Sequence, residues 1–167
     1  MSPAELLIKP VDPQGEDAMA LLREAAIEAG ALYPEFLTLG APGPTNPPNP
    51  PRGIYLVAYV HGAARACGAL RPIDQRTVEI RRMSVREPAR RQGLARAMLI
   101  ALEQEAERLG YEFMRLETGS RQRPAMALYQ SCGFGRIAPF GAYGDGPLSV
   151  CFEKRVAGIA LNPSTRN

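Results

Sequence analysis

The sequence predicts a single α/β domain with a mixed, mostly antiparallel sheet and helices on both faces. Three observations carry this prediction. Residues Ile54 to Val60 form an almost continuous apolar, β-prone run, as a central strand covered on both faces requires. Turn signals at His61-Gly62 and Asp74-Gln75 fold the following chain into an antiparallel meander of three strands. A helical pattern from Leu94 to Leu109 then lies between the strand ending at Val85 and one at 112–118, and a strand-helix-strand unit with short connections makes those two strands parallel neighbours.

Length and composition agree with one core. The chain has 167 residues, 46% apolar and 22% charged, so residues 1–157 form one domain and 158–167 a flexible C-terminal tail. The net charge of +3 favours anionic ligands but falls far short of a dedicated nucleic-acid surface, and the basic stretch has no interleaved aromatics. Cys67, Cys132 and Cys151 are odd in number, widely spaced and set among apolar residues, which fits buried thiols in a reducing compartment. No Cys/His metal spacing exists, and the single histidine, His61, sits in a turn, so neither a metal site nor a Ser/His/Asp triad is expected. No apolar run approaches the roughly 20 residues of a membrane span, and a cytoplasmic location is expected.

In chain order, Leu6-Leu7-Ile8 closed by Pro10 reads as an edge strand. Asp12-Pro13 supplies a helix start, and Ala18, Leu21, Leu22, Ala25, Ala26 and Ala29 keep helical spacing up to a terminal Gly30. Residues 32–39 form a short helix or a lid. Residues 40–53, with six prolines and three glycines, form an extended, mobile internal loop. After the meander, Leu94, Met98, Ala101, Leu102, Ala106 and Leu109 mark one helix face closed by Gly110. Phe113, Met114 and Leu116 make the next strand. Ala125, Leu128, Tyr129 and Cys132 line a short helix ending at Gly133, and 134–137 and 148–152 form two last strands.

The turn Arg90-Arg91-Gln92-Gly93-Leu94-Ala95 joins a strand to a helix N-terminus and brings uncapped N–H groups and guanidinium groups to one place. It reads as a diphosphate-binding turn, or as an ordinary strand-to-helix connection with solvated arginines. Gly-Lys-Ser/Thr and Gly-x-Gly-x-x-Gly patterns are both absent, which excludes the common nucleotide loops.

The element order and this turn together resemble the GNAT superfamily of N-acetyltransferases. Arg90 to Ala95 fits that family's Arg/Gln-x-x-Gly-x-Gly/Ala signature, and Ala125-Met126-Ala127-Leu128-Tyr129-Gln130-Ser131-Cys132-Gly133-Phe134 resembles its Ala-x-x-Leu-Tyr-x-x-x-Gly-Phe segment. The detailed resemblance covers about residues 53–137. The stretches Gly68 to Pro72, Glu79 to Met83, Glu117 to Gly119 and Pro147 to Cys151 also look like one subgroup of small, mostly uncharacterised bacterial members.

The resemblance implies acetyl-CoA as acetyl donor, with no metal. Strands 77–85 and 112–118 should splay, the backbone of Met83 and Val85 should hold pantetheine, and that of Gln92, Gly93, Leu94, Ala95 and Arg96 the pyrophosphate. Arg90 or Arg91 would approach the 3′-phosphate. Gln122 stands seven residues before Tyr129, where the family often has asparagine, so that contact has altered reach. Tyr129 corresponds to the tyrosine that donates to the coenzyme A sulfur. Glu79 matches the position of a general base in some members, or it is an ion-pair partner of Arg81, Arg71 or Arg115. Glu117 is the second carboxylate candidate, with a structural turn role as its alternative. A backbone N–H near Val85 would polarise the thioester carbonyl.

The implied activity is N-acetyltransfer to a primary amine of a small molecule, amino acid or peptide, by direct attack in a ternary complex. Arg71, Arg81 and Arg82 point to an acceptor that also bears a carboxylate. Tyr33, Phe36, Phe140 and Tyr143 are candidates for lining the acceptor side. The competing reading is a coenzyme A-binding regulatory module without turnover. No nucleic-acid or membrane partner is expected, and a homodimer is left open.

Overall fold

A computed structural model describes residues 5–157, so the tail expected to be flexible lies outside the described residues. Seven strands, β1 (Leu6–Pro10), β2 (Ile54–Val60), β3 (Ala63–Pro72), β4 (Thr77–Val85), β5 (Phe113–Gly119), β6 (Gly135–Ile137) and β7 (Ser149–Arg155), form one sheet in the order β1-β2-β3-β4-β5-β7-β6. The helices are α1 (Glu16–Leu32), α2 (Leu94–Arg108) and α3 (Arg123–Ser131). All pairings are antiparallel except β4 with β5. His61 and Gly62, with φ of 49° and 80°, make the two-residue turn that joins β2 to β3, because a turn of that hand matches the strand twist.

The sheet is buried on two faces by two clusters. Leu94, Met98, Leu102 and Ala106 of α2 pack against Leu56, Val78, Ile80, Met114, Leu116 and Phe152. On the other face Ala18 and Leu21 of α1 pack against Tyr55, Val57, Cys67 and Ala69. Each fully buried Leu or Met contributes about 1.5–3 kcal/mol, so the larger α2 cluster dominates the packing. The α1 cluster reaches only the β2–β3 half of its face. The β4–β5–β7 half of that face is therefore left to loops, and this is where polar side chains collect.

Two expectations need correction. α1 starts at Glu16 behind an uncapped Gly15, because Asp12 Oδ1 accepts the Gln14 N–H at 2.9 Å and its carbonyl accepts the Gly15 N–H at 3.0 Å, forming a turn ahead of the helix. The helix also runs through Gly30, which keeps a negative φ, and ends where the Tyr33 N–H bonds Ala29 O. Residues 40–53 are extended and mostly exposed, as expected, with Asn46 as a buried anchor. Asn46 is 3% exposed, donates to Pro13 O at 2.7 Å and accepts from Arg82 Nε at 3.0 Å. Arg52 then clamps the loop's end by donating to Leu109 O and stacking on Tyr111, 4.0 Å from the ring centroid.

Candidate active site

β4 and β5 pair only through Thr77–Phe113, Val78–Met114 and Glu79–Arg115, then separate. A cavity of about 520 Å³ occupies the separation. Side chains alternate along β5, with Met114, Leu116 and Thr118 buried and their neighbours half-buried. Leu116 and Glu117 nevertheless both line the cavity, so it passes through the sheet. Met83, Leu116 and Tyr129 wall it on the α2 side, and Glu79, Arg81, Glu117 and Tyr143 on the α1 side.

A bulge in β4 shapes one edge. Ala69 pairs with Arg81 and Cys67 with Ser84, so Arg82 and Met83 together face Gly68, and Arg82 takes a φ of 58°. The Cys67 thiol donates to Arg82 O at 3.0 Å and lies 3.2 Å from Ser84 Oγ. Burial pushes that thiol's pKa up, so Cys67 acts as a neutral pin for the bulge. The irregularity lies two residues before Val85, the position anticipated for a free backbone donor.

Beyond β4 a 3₁₀ turn, Glu87–Ala89, leads to Arg90, Arg91, Gln92 and Gly93. Gly93, the residue before α2, has φ of 79°, and Arg91 has 64°. No side chain caps α2, and Ala97 N–H is bonded to Gly93 O, so the N–H groups of Leu94, Ala95 and Arg96 precede that bond. A Cβ at Gly93 would meet no atom within 4 Å, so the left-handed backbone, and not crowding within the chain, is what calls for glycine. Arg90 donates to Val85 O at 2.9 Å and pairs with Glu28 of α1, whereas the equally exposed Arg91 has no ion pair among the described residues. The Arg96 side chain reaches Ser131 Oγ at 2.9 Å and Cys132 Sγ at 3.3 Å, tying α2 to α3. Gln122 is the residue before α3 and lines the cavity.

The carboxylates face each other across the cavity. Glu79, 12% exposed, accepts a hydrogen bond from Tyr143 Oη at 2.6 Å, and its other oxygen lies 3.7 Å from Arg81 Nη1. Burial raises the Glu117 pKa, a hydrogen bond from Ser149 opposes the rise, and the Glu79 charge adds to it. Tyr129, 7% exposed and packed on Phe134 and Phe152, has its hydroxyl pushed up to about 12, first by burial and then by Glu117. Cys151 is 1% exposed and burial raises its thiol, which disfavours a thiolate there.

Tyr129, Glu79, Glu117, Met83 and Gln122 therefore share one cavity, while Val85 and residues 90–96 lie outside its lining along the turn. Tyr33, Phe36 and Tyr143 also line it; Phe140 does not, and instead packs edge-on against Tyr143. Ser149 and Gly119 escaped sequence reasoning. Tyr33 Oη accepts the Arg121 N–H at 3.0 Å, and a Cβ on Gly119 would lie 1.8 Å from that oxygen, so glycine is what lets the α1 end close over β5. No local pattern around Gly119 announces a partner 86 positions away.

A model of the Acetyltransferase (GNAT) family matches residues 19–134. The chain belongs to this family. Among GNAT relatives, the uncharacterized N-acetyltransferase YsnE of Bacillus subtilis is 42% identical over 92 residues, which is 54% of this chain and 61% of that protein. The match thus spans about three fifths of the length of that relative. A crystal structure from Klebsiella pneumoniae, assigned as an acyl-CoA N-acyltransferase, superposes with a TM-score of 0.74 at 32% identity, covering 92% of this chain and 99% of that one. A GNAT family acetyltransferase from Elizabethkingia anophelis with acetyl-CoA bound has a TM-score of 0.66 at 19% identity over 90% of this chain and 98% of that one, a likeness of fold. The mixed sheet with its single parallel pair among the described residues is the GNAT fold.

Proposed function

We propose that this GNAT protein transfers the acetyl group of acetyl-CoA to a primary amine, by direct attack while donor and acceptor are both bound. The observation that carries the reading is the cavity that runs through the splayed β4–β5 gap, with Tyr129 toward one face and two carboxylates toward the other. The chain fits a coenzyme A thioester. β4 and β5 beyond Glu79 and Arg115 have no partner in each other, which leaves strand-edge backbone groups for an amide-bearing arm, and the uncapped α2 start beside Arg91 suits a diphosphate. Met83, Val85, Gln122 and Gln92 to Arg96 would hold the donor, whose contribution is an acetyl thioester.

On the acceptor side Glu79 or Glu117 takes one proton from the ammonium, freeing the nitrogen lone pair. The nitrogen then bonds the acetyl carbon as the carbon–sulfur bond breaks. Tyr129 stabilises the departing sulfur. With its pKa near 12 against about 8.5 for a thiol, Tyr129 keeps its proton and donates a hydrogen bond, and the second proton of the nitrogen neutralises the thiolate. One proton is released overall, through the carboxylate. The Met83 region of the bulge is the candidate donor to the thioester carbonyl.

Calorimetric titration with acetyl-CoA, followed by a thiol-release assay over an amine panel, tests the proposal. Binding with amine-dependent release supports it. Binding without release for any amine favours a non-catalytic coenzyme A module instead.

A further inference from the structure

Three arginines cluster beside the acceptor mouth of the cavity, and two of them, Arg81 and Arg82, line it. The β3–β4 register sets Arg71 opposite Glu79 and Ala69 opposite Arg81, and the bulge brings the consecutive Arg81 and Arg82 to the same cavity wall. All three also line a shallow depression under the proline-rich loop, beside Asn46 and Tyr55. Their charges are poorly balanced. Burial lowers the Arg82 pKa, and the neighbouring charges of Arg81 and Arg71 lower it further. Among the described residues, the carboxylate within 4.0 Å of this cluster is Glu79, at 3.7 Å from Arg81, and Glu79 already accepts from Tyr143. Arg82 is fixed by its bonds to Asn46 Oδ1 and Thr45 O, whereas no hydrogen bond engages the guanidinium of Arg71 or Arg81 among the described residues.

We propose that the acceptor is a free α-amino acid, its carboxylate held by Arg81 with Arg71 beside it and its ammonium placed between Glu79 and Glu117. The inference rests on the transferase reading above. The spacing selects the class. Glu79 Oε1 and Arg81 Nη1 are 3.7 Å apart, so a cation-binding and an anion-binding group stand side by side on the cavity wall. A ligand whose opposite charges share one carbon can meet both groups from within the site. A peptide carries its two terminal charges far apart, and a simple amine leaves the arginine cluster without an anion. Guanidinium groups also match a carboxylate in two-pronged geometry, which fixes the direction from which the nitrogen approaches the gap. Tyr33, Pro147 and Leu148 give the remaining wall an apolar character suited to a hydrophobic side chain.

The test is a thiol-release assay of the full chain with acetyl-CoA and the common α-amino acids, each beside its amide and its decarboxylated amine. For the best acceptor, kcat/KM of the free acid is expected to exceed that of the amide and the amine by about tenfold or more. In Arg81→Gln that preference should fall below about twofold. Equal turnover of acid, amide and amine, or turnover confined to amines without a carboxylate, overturns the inference and leaves the transferase reading standing. Thiol release from no acceptor while acetyl-CoA still binds overturns both. The comparison of the three acceptors needs no substitution, so it decides the question even where Arg81→Gln fails to fold.

Discussion

The α2 side and the α1 side of the β4–β5 gap are assembled differently. On the α2 side Met83 of β4, Leu116 of β5 and Tyr129 of α3 wall the gap, and one continuous piece of chain carries β4 through its turn into α2 beyond the cavity. On the α1 side Glu79 and Arg81 come from β4, Glu117 from β5, Tyr143 from the irregular segment between β6 and β7, and Tyr33 from the end of α1. The first side depends on local backbone geometry: a bulge, a left-handed glycine and an uncapped helix. The second depends on long-range register. A family can keep the first for a common donor while the second is altered to suit different acceptors. The electrostatics differ likewise, since the α1 side concentrates Glu79, Arg81, Glu117 and Tyr143, whereas among Met83, Leu116 and Tyr129 the polar group is the Tyr129 hydroxyl.

The largest expected effect is on the α2 side. Gly93→Val should weaken acetyl-CoA binding at least about 100-fold by calorimetry. The cause is a β-branched residue forced to φ of 79°, where an ordinary side chain costs about 1–2 kcal/mol, and a Cβ projecting where a phosphate would approach. Because that Cβ meets nothing in the protein itself, the melting temperature should fall only by the several degrees that this backbone strain costs, and an unchanged Kd would remove the turn from the donor site. Tyr129→Phe comes next. It should lower kcat about 100-fold with the acetyl-CoA Kd within about twofold, as for a lost transition-state hydrogen bond. A matching loss of affinity would make Tyr129 a packing residue.

The α1 side should respond through pH. A base must be ionised to accept a proton, so kcat/KM rises with pH through the pKa of whichever carboxylate serves. Burial places Glu117 above the ordinary carboxylate range. Glu79→Gln and Glu117→Gln should each cost about 10- to 100-fold in kcat/KM if they share the task, and the variant that loses the rise identifies the base. Gly119→Ala, which drives a Cβ into Tyr33 Oη, should destabilise the fold by about 1–3 kcal/mol and raise the acceptor KM while sparing acetyl-CoA affinity. A melting curve and KM like those of the parent would show that Tyr33 does not close the site.

The smallest effect concerns stability. The folded pKa of Glu117 lies above its unfolded value, so its ionisation favours the unfolded chain. This penalty is absent below the unfolded pKa and complete above the folded one. Glu117→Gln should therefore raise the melting temperature by a few degrees at pH 8, with the gain fading as pH falls toward 4.5. A gain independent of pH would point to packing instead of charge.

The same contrast governs what could be read from residues alone. The meander, the parallel pair and α2 follow from unbroken periodicity and short spacings, where hydrophobic pattern and turn chemistry act locally, whereas Tyr129 is marked out by the resemblance of its segment to the family's Ala-x-x-Leu-Tyr-x-x-x-Gly-Phe pattern. Gly30 looks like a terminal glycine, but that role needs a left-handed φ that Gly30 does not adopt. The composition of the proline-rich loop says nothing of the anchor at Asn46, whose partners Pro13 and Arg82 lie 33 and 36 positions away. The Tyr143–Glu79 bond and the arginine cluster exist only once β3, β4, β5 and β7 are in register. Candidates on both sides could thus be named from the sequence and its resemblance, whereas the contacts that join the acceptor-side residues required the fold.

Direct transfer across the gap is the central claim, and initial velocities with acetyl-CoA and acceptor both varied test it most directly. A shared cavity with a neutral, buried Cys151 predicts intersecting double-reciprocal lines, because both substrates must be bound before acetyl moves. Parallel lines, the pattern of an acetyl group parked on the protein between two half-reactions, would contradict it.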